Sequence, residues 1–320
     1  MNPPHHPRPF KQVDVFTATP YYGNPLAVVL DGRGLTEDEM QRFARWTNLS
    51  ETTFLLPPTQ AGADYRVRIY TPGGELPFAG HPTLGSCHAW LEAGGAPRAS
   101  GAAGGQPSQP ELIVQECAVG LVHIRRAGQH LAFRAPPLER STPAPELLAQ
   151  VAQALGIEPQ QIRAAQVLDN GPRWLGLLLD SAETILALEP DHARLRELQQ
   201  KVGVAALTSG PSTVNLISRS SREARAFAEH AGDAPQQAVP DLEVRAFAAP
   251  VGITEDPVTG SLNASLAQWL MADGHAPARY VAAQGTRLGR AGRVLLERDA
   301  NGDIWVGGQV QTCISGQVAL

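Results

Sequence analysis

The chain is 320 residues long and 43% hydrophobic, which is enough to bury two ordinary cores and predicts two domains. Its formal net charge of −5 and its dispersed basic residues argue against a protein that binds nucleic acid or an anionic membrane surface. Three cysteines form no disulfide framework, and the N-terminal segment lacks the apolar core of a signal peptide, so we expect a cytoplasmic protein with no membrane span.

Strand patterns dominate the first part of the chain. Thr36 followed by Glu39 has the spacing of a capping box and predicts that a helix begins there. Residues 1–9 are expected to form a disordered tail and the low-complexity residues 94–110 a mobile loop. The strand-like runs are residues 11–17, 26–30, 53–56, 65–70, 111–116, 120–125 and 131–134.

Pro136-Pro137 marks the predicted boundary between an N-terminal lobe, residues 1–135, and a C-terminal lobe, residues 136–320, whose last strands can pack back on the first lobe. Helix patterns follow at 144–155 and 191–201, and Asn301-Gly302 predicts a hairpin turn. The strands of this lobe are predicted at 163–168, 173–179, 204–209, 213–219, 243–249, 278–284, 292–297, 303–307 and 310–318. The sequence thus predicts an α+β protein with two similar lobes, each a mostly antiparallel, barrel-like sheet wrapped around a central helix.

One phrase occurs in both halves. The pattern [His/Asp]-Pro-x-x-Gly-Ser-x-x-Ala begins at His81 and again at Asp256, an offset of 175 residues, and each copy continues into an apolar helical stretch. A residue that can cap, followed by proline, predicts a helix start. Helix N-termini offer free N–H groups and a positive dipole end, which suit an anion. We therefore expect the two lobes to close on one anionic ligand.

Glu51 is the strongest candidate for an acid–base residue. It lies between Ser50 and Thr52 and precedes the apolar run 54–56, where burial would raise the pKa of its carboxyl group towards neutrality. The alternative, which composition alone favours, is a solvent-facing glutamate at a strand end. Glu75, close to the first predicted helix start, is a weaker second candidate.

Five further polar residues are candidates for the ligand site. His81 and Asp256 either face a common ligand or are ordinary N-caps. Ser261 either donates to the ligand or completes a helix start. Asn24 lies in a sharply turning loop that can line the cleft, and Arg290 ends a glycine-rich loop and can clamp a carboxylate. The sequence has no Walker A loop, no H-E-x-x-H, no G-x-S-x-G and no zinc spacing, so neither a cofactor nor a metal is expected.

These residues make the chain similar to the phenazine-biosynthesis isomerase (PhzF-like) family, within the diaminopimelate-epimerase-like fold. The resemblance implies two similar barrel-like lobes with the site between them, cofactor-free proton transfer and a homodimer. The matching stretches, in the family's order, are residues 13–17, 23–28, 48–52, 75–85, 170–174 and 255–261.

The resemblance also implies roles for individual residues. Glu51 would be the catalytic acid/base, and backbone donors at the two helix starts would bind the substrate carboxylate. The epimerases of this fold hold a catalytic cysteine at each repeated helix start, whereas this chain has His81 and Asp256 there and Cys87 six residues downstream of His81, which disfavours a two-thiol racemase. The candidate site comprises the catalytic residues Glu51, His81 and Asp256 and the substrate-binding residues Asn24, Gly80, Gly260, Ser261 and Arg290.

The function hypothesis is a cofactor-independent isomerase that moves a proton within a small, carboxylate-bearing substrate. Glu51 would take a proton from carbon and return it elsewhere on the same molecule, while His81 and the helix-end N–H groups stabilise the charge that develops. Two alternatives stay open: a non-catalytic protein that binds small acids in the same cleft, and a racemase or epimerase that uses no thiol.

Overall fold

The structure is a computed structural model that describes residues 6–98, 111–208 and 240–320. Up to residue 134, the described chain contains two helices and eight strands. The helices are α1 (Glu37–Thr47) and α2 (Gly80–Glu92). The strands are β1 (Pro7–Val15), β2 (Asn24–Val29), β3 (Thr52–Leu56), β4 (Tyr65–Thr71), β5 (Gly74–Leu76), β6 (Glu111–Cys117), β7 (Gly120–Ala127) and β8 (His130–Arg134).

The rest of the described chain repeats this mixture of strands and helices. Short 3-10 turns lie at Pro159–Gln161, Ala249–Val251 and Thr286–Leu288. The helices are α3 (Pro145–Leu155), α4 (Ala182–Ala187), α5 (His192–Glu197) and α6 (Gly260–Ala272). The strands are β9 (Glu139–Ser141), β10 (Ile162–Asp169), β11 (Arg173–Leu179), β12 (Val202–Leu207), β13 (Leu242–Phe247), β14 (Arg279–Gln284), β15 (Gly292–Arg298) and β16 (Ile304–Ala319).

The first sheet closes into a barrel around α2. Its strands follow the order β1–β2–β3–β4–β6–β7–β8–β16, and β16 pairs back with β1. α2 is buried on all sides over its first eight residues and contacts β1, β2, β3, β8 and β16. A helix that is apolar all round belongs inside a core, which explains why this stretch lacks a polar face.

The second sheet continues from the same strand and curls around α6. Its order is β16–β15–β14–β13–β12–β11–β10–β9, and most of its pairings are antiparallel. Leu262, Leu266 and Trp269 of α6 share one continuous apolar cluster with Leu84 of α2, while α3, α4 and α5 pack outside β10–β12 and form a second cluster. The predicted α+β architecture, with a central helix in each mostly antiparallel sheet, is confirmed.

Several predicted elements differ from the observed ones. Residues 7–9 do not form a tail: they belong to β1 and pair with β16, beginning at Pro7 opposite Ala319. The runs 303–307 and 310–318 form the single strand β16. A bulge in β16 leaves Cys313 without a partner opposite Gln12 and Val13 of β1. The helix predicted at 191–201 is the shorter α5, and β5, β9 and α4 were not predicted. The predicted strand 213–219 and most of the predicted loop 94–110 lie outside the described residues.

The repeated phrase misplaces the helix starts. α2 begins at Gly80 and α6 at Gly260, an offset of 180 residues rather than 175. Pro82 is therefore the third residue of α2, whereas Pro257 precedes α6 altogether. The N-cap residues are Ala79 and Thr259, and neither side chain makes a capping hydrogen bond. The N-cap reading of His81 and Asp256 is wrong.

The two helices meet at their first residues. A Cβ atom placed on Gly80 would lie 3.1 Å from the Cα of Gly260 and 2.8 Å from Cζ of Phe133, and one placed on Gly260 would lie 3.0 Å from the Cα of Gly80. Glycine is required at both positions because any side chain would push the helix ends apart.

We expect Gly80→Ala to destabilise the fold by about 1–3 kcal/mol, the usual cost of overpacking, although alanine is the better helix former. Urea denaturation would measure the change. Gly316→Ala is the matched control, because a Cβ atom there meets nothing within 4 Å, and it should leave stability within about 0.5 kcal/mol. A Gly80→Ala variant as stable as the parent would show that the helix ends can separate freely.

Candidate active site

A cavity of about 1850 Å³ lies where the two helix starts meet. Both lobes contribute to its wall, and Gly80 and Gly260 form part of it. The structure brings all eight predicted site residues to this one cavity: Asn24, Glu51, Gly80, His81, Asp256, Gly260, Ser261 and Arg290. Glu75 is not among the lining residues; its carboxylate pairs with Arg68, at 2.7 Å from Nε, so the weaker candidate is wrong.

Glu51 enters the cavity from the turn between α1 and β3. Asn48 ends α1 in the left-handed conformation, with φ of 56°, which asparagine tolerates better than most residues. The chain then reverses into β3, which pairs with β2 and β4. The Glu51 side chain is only 14% exposed, so the solvent-facing alternative is wrong. Burial raises the pKa of its carboxyl group to about 7.

His81 faces Glu51 from the first turn of α2. Its Nε2 lies 3.3 Å from Oε2 of Glu51, without the alignment of a good hydrogen bond. Burial lowers the pKa of the imidazole to about 4, against the smaller opposing effects of Asp256 and Asp14. The ring is therefore uncharged near neutral pH, and its contact with Glu51 is not an ion pair there. The amide Nδ2 of Asn24 lies 3.4 Å from Nδ1; since an amide nitrogen only donates, we assign the ring hydrogen to Nε2, the atom that faces Glu51.

Asp256 reaches the cavity from the loop before α6. Its carboxylate accepts hydrogen bonds from Nδ2 of Asn24, at 3.1 Å, and from Oγ1 of Thr259. Its backbone is fixed by Nε2 of Gln284, which donates to the carbonyl oxygen at 3.0 Å. Burial raises the pKa of Asp256, while His81 opposes that rise. Asn24 thus joins the two lobes, because its side chain touches His81 on one side and Asp256 on the other.

Two positioning residues were missed in the sequence. Thr259 lies inside the repeated phrase and received no role, although it binds the Asp256 carboxylate. Gln284 accepts from the Thr259 N–H at 3.0 Å and from Nδ2 of Asn263 at 2.8 Å, which places the start of α6. A single buried glutamine at the end of a strand carries no local sequence signal that would have identified it.

Ser261 belongs to a second group of polar contacts in the cavity wall. Its Oγ accepts from Nε1 of Trp174 at 3.4 Å, and its carbonyl oxygen accepts from Nδ2 of Asn170 at 3.1 Å. Asn170 and Trp174 come from a stretch that carried the family resemblance but no predicted role. Arg290 also lines the cavity; one of its N–H groups donates to the carbonyl of Tyr21 at 2.7 Å, which leaves its other hydrogens for a ligand.

Unpaired polar atoms concentrate at this cavity. Five buried side-chain atoms of its wall have no hydrogen-bond partner among the described residues: Asn24 Oδ1, Ser50 Oγ, Glu51 Oε2, His81 Nε2 and Asn170 Oδ1. The uncapped starts of α2 and α6 add backbone N–H groups that no helical carbonyl can satisfy. Because an unpaired buried polar group is costly, this concentration indicates a site completed by a polar ligand.

No cysteine lines the cavity; Cys87 is fully buried within α2, and burial raises the pKa of its thiol to about 12. No group of three or more histidine, cysteine, aspartate or glutamate side chains in ranges 6–98, 111–208 and 240–320 could hold a metal ion. In the same ranges, every helix is too short or too polar to cross a membrane.

Comparison with known proteins identifies relatives over nearly the whole chain. The family model "Phenazine biosynthesis-like protein" (PhzC-PhzF) matches residues 13–316. Antisense-enhancing sequence 1 of Schizosaccharomyces pombe is 34% identical, over 96% of this chain and 97% of that protein. Trans-2,3-dihydro-3-hydroxyanthranilate isomerase of Pseudomonas aeruginosa is 30% identical, over 91% of this chain and 90% of that protein. The crystal structure of a PhzF-family protein from Bacillus anthracis aligns with a TM-score of 0.76 at 20% identity, covering 98% of this chain and 100% of that one, and shows the same fold.

The pKa of Glu51 makes stability depend on pH. The folded protein holds the Glu51 proton more tightly than the unfolded chain does, so this contribution is complete below pH 4.5 and is lost as the pH rises through 7. At about 1.4 kcal/mol per pKa unit, the rise from 4.5 to about 7 sets the whole loss at about 3.5 kcal/mol at most. We therefore expect Glu51→Gln to gain stability relative to the parent between pH 5 and pH 8, by up to about 3 kcal/mol.

Urea denaturation of both proteins at the two pH values measures this difference. Glu139→Gln replaces an exposed carboxylate on β9 and is the control. Its stability relative to the parent should change by less than about 0.5 kcal/mol between the two pH values. A Glu51→Gln variant whose relative stability does not change with pH would contradict the buried, proton-holding carboxyl group.

Proposed function

The chain belongs to the phenazine biosynthesis-like (PhzC-PhzF) family and is an isomerase, and on that premise we propose that it moves a proton within a small carboxylate-bearing substrate by acid/base catalysis at Glu51. One observation supports this mechanism above all others. A carboxyl group with a pKa near 7 lies 3.3 Å from an uncharged imidazole, at a cavity where two uncapped helix starts meet. An acid–base group works best when its pKa is close to the pH at which it operates.

The substrate carboxylate would bind between the starts of α2 and α6. Both helices direct their positive dipole ends and their free N–H groups towards the same cavity. Gly80 and Gly260 allow the backbone to approach the ligand closely, and Ser261 adds a hydroxyl group beside the second helix start.

Proton transfer then needs only the groups already present. The Glu51 carboxylate takes a proton from a carbon next to an unsaturated, electron-withdrawing group, and the electron pair of that C–H bond moves into the conjugated system. The negative charge spreads onto the substrate carboxylate, where the helix N–H groups stabilise it. The protonated Glu51, whose hydrogen exchanges with solvent in the cavity that it lines, then protonates a different carbon, so the double bond shifts and the composition is unchanged. No redox partner is required, and we propose that the reaction is independent of a cofactor.

His81 and Asp256 support this transfer in different ways. The uncharged His81 ring can donate its Nε2 hydrogen to the Glu51 carboxylate or to charge that develops on the substrate. Asp256, held by Asn24 and Thr259, lines the same cavity close to His81, since Nδ2 of Asn24 contacts both residues, and it would bind or polarise the substrate. The homodimer implied by the family resemblance remains a prediction.

A single experiment in D₂O has three different outcomes for this function and its two alternatives. A non-catalytic binding protein would bind a small acid without exchanging any carbon-bound hydrogen with solvent. A thiol-independent racemase or epimerase would introduce deuterium at one carbon and leave the double bonds in place. An isomerase introduces deuterium at a new carbon while a double bond moves.

We expect the protein in D₂O to isomerise trans-2,3-dihydro-3-hydroxyanthranilate, the substrate named for a 30%-identical relative, or another cyclic unsaturated acid of a screened panel. Deuterium should appear at a different carbon from the one that loses hydrogen. Glu51→Gln should lower the rate by about 10²–10⁴-fold, the usual contribution of a general acid–base group, and leave binding intact. NMR follows both the position of deuterium and the double bond.

Glu139→Gln is the control for this experiment and should react at the parental rate, since its carboxylate lies on the exposed strand β9. Exchange that persists at the parental rate in Glu51→Gln would overturn the assignment of Glu51. Binding of the whole panel without exchange would favour the non-catalytic alternative.

The pH dependence of the reaction follows from the same pKa. Because Glu51 must be ionised to accept the first proton, kcat/KM should rise about tenfold per pH unit below 7 and level off above it. His81, whose pKa is near 4, should add no step between pH 5.5 and 8.5. Initial rates across this range test the expectation. A profile that falls through pH 7 would mean that Glu51 starts the reaction protonated.

A further inference from the structure

Lys201 lines the cavity with an ammonium group that makes no ion pair within the described residues. It lies immediately before β12, and its Nζ is 5.1 Å from the centre of the Trp174 ring. Among the described residues it forms no ion pair and no side-chain hydrogen bond. Burial lowers the pKa of Lys201, and the nearby charge of Asp169 only partly opposes this shift. A partly buried cation that a protein leaves unpaired is a group for which a ligand can supply the missing charge.

The topology places Lys201 beside two other cavity residues. β11 and β12 run parallel, with Leu175 opposite Val202, so Trp174 and Lys201 lie at the same edge of the second sheet. β10 ends at this edge, and the turn that follows carries Asn170. All three residues line the cavity from the second lobe, whereas Glu51 and His81 line it from the first.

The polar groups of these residues connect to the start of α6. Trp174 donates from Nε1 to Oγ of Ser261, and Asn170 donates from Nδ2 to the Ser261 carbonyl. Asn170 is 7% exposed, yet its Oδ1 has no donor among the described residues. The wall therefore offers one unpaired cation and one unpaired acceptor next to the helix start at which the first carboxylate would bind.

We propose that Lys201, Trp174 and Asn170 form a subsite for a second anionic group, so that the preferred substrates are small dicarboxylates. The ammonium group of Lys201, held over the indole ring, binds the second carboxylate, and Oδ1 of Asn170 accepts from a hydroxyl or amino group beside it. This assignment rests on the proposed function in one respect: the first carboxylate occupies the helix starts.

Binding of matched probes tests the subsite without any turnover. Isothermal titration compares benzoate with its dicarboxylate counterparts, isophthalate and terephthalate. At least one dicarboxylate should bind the parent protein about tenfold or more tightly than benzoate does. Lys201→Met should remove this preference, weakening the dicarboxylate about tenfold to a hundredfold while leaving benzoate unchanged, and Lys201→Arg should restore most of it.

The chain supplies its own matched control, because Lys11 and Lys201 are its only lysines. Lys11 pairs with Glu92 and does not line the cavity, so Lys11→Met should keep the full dicarboxylate preference. In the unmutated protein, the tighter dicarboxylate should protect Lys201, but not Lys11, from acetylation by acetic anhydride, as read by mass spectrometry. This second measurement does not depend on a variant that folds.

The outcomes that overturn the subsite differ from those that overturn the mechanism. The subsite would be rejected if dicarboxylates bound the parent no better than benzoate. It would also be rejected if Lys201→Met lowered the affinities for benzoate and for the dicarboxylate equally, because Lys201 would then only shape the cavity wall. A dicarboxylate preference that depends on Lys201, found together with no carbon exchange in D₂O, would retain the subsite and reject the proton-transfer function.

Discussion

The contact between two helix N-termini is the constraint on which the rest of this structure depends. α2 and α6 begin at Gly80 and Gly260, and no side chain fits between these two residues. Each helix end carries a partial positive charge, and neither end has a side-chain cap. Two such ends in contact repel one another in a buried environment. The arrangement is therefore most stable when a negative charge lies in the cavity beside both ends, which makes the fold itself a template for an anionic ligand.

The sheet topology holds the helix ends in this unfavourable contact. β16 closes the first barrel by pairing with β1 and β8, and its first half also begins the second sheet by pairing with β15. Each helix is buried in its own sheet, and the two cores form one continuous apolar cluster. Because apolar burial of this extent contributes far more than two partial charges cost, the hydrophobic core can maintain an electrostatic strain at the cavity.

The sequence predicted those parts of the fold that local patterns determine. Alternating strands, the capping box at Thr36 and the two apolar helices were identified because each has a signal within about a dozen residues. The repeated phrase was a weaker guide: it correctly brought residues 81 and 256 to one cavity, but its register was five residues from that of the helices. Pro82 indicated the wrong start for α2 because proline is tolerated throughout the first turn of a helix, not only at its first position.

The positions that sequence analysis missed share a physical cause. Gln284, Trp174 and Lys201 lie far along the chain from the residues that they touch. The pairing of β11 with β12 brings Trp174 and Lys201 together at the cavity, and Gln284 at the end of β14 meets the start of α6. Long-range pairing leaves no local pattern. The family resemblance included Trp174, but similarity of a stretch does not say which side chain meets which. The short elements β5, β9 and α4 were missed for a related reason, since three to six residues carry too little periodicity.

The charges of the cavity explain why a second cation would be useful to a carboxylate-binding site of this kind. Burial holds His81 uncharged, raises the pKa of Glu51 to about 7 and raises that of Asp256 as well, so ionisation of either carboxyl group is less favourable in this cavity than in water. A bound carboxylate would add negative charge beside Glu51 and make its ionisation still less favourable, yet in the proposed mechanism Glu51 must be ionised to take a proton from carbon. The helix ends offset part of this conflict, and Lys201 on the opposite lobe is placed to offset more of it. The same groups that attract the substrate would thus also keep the base ionised.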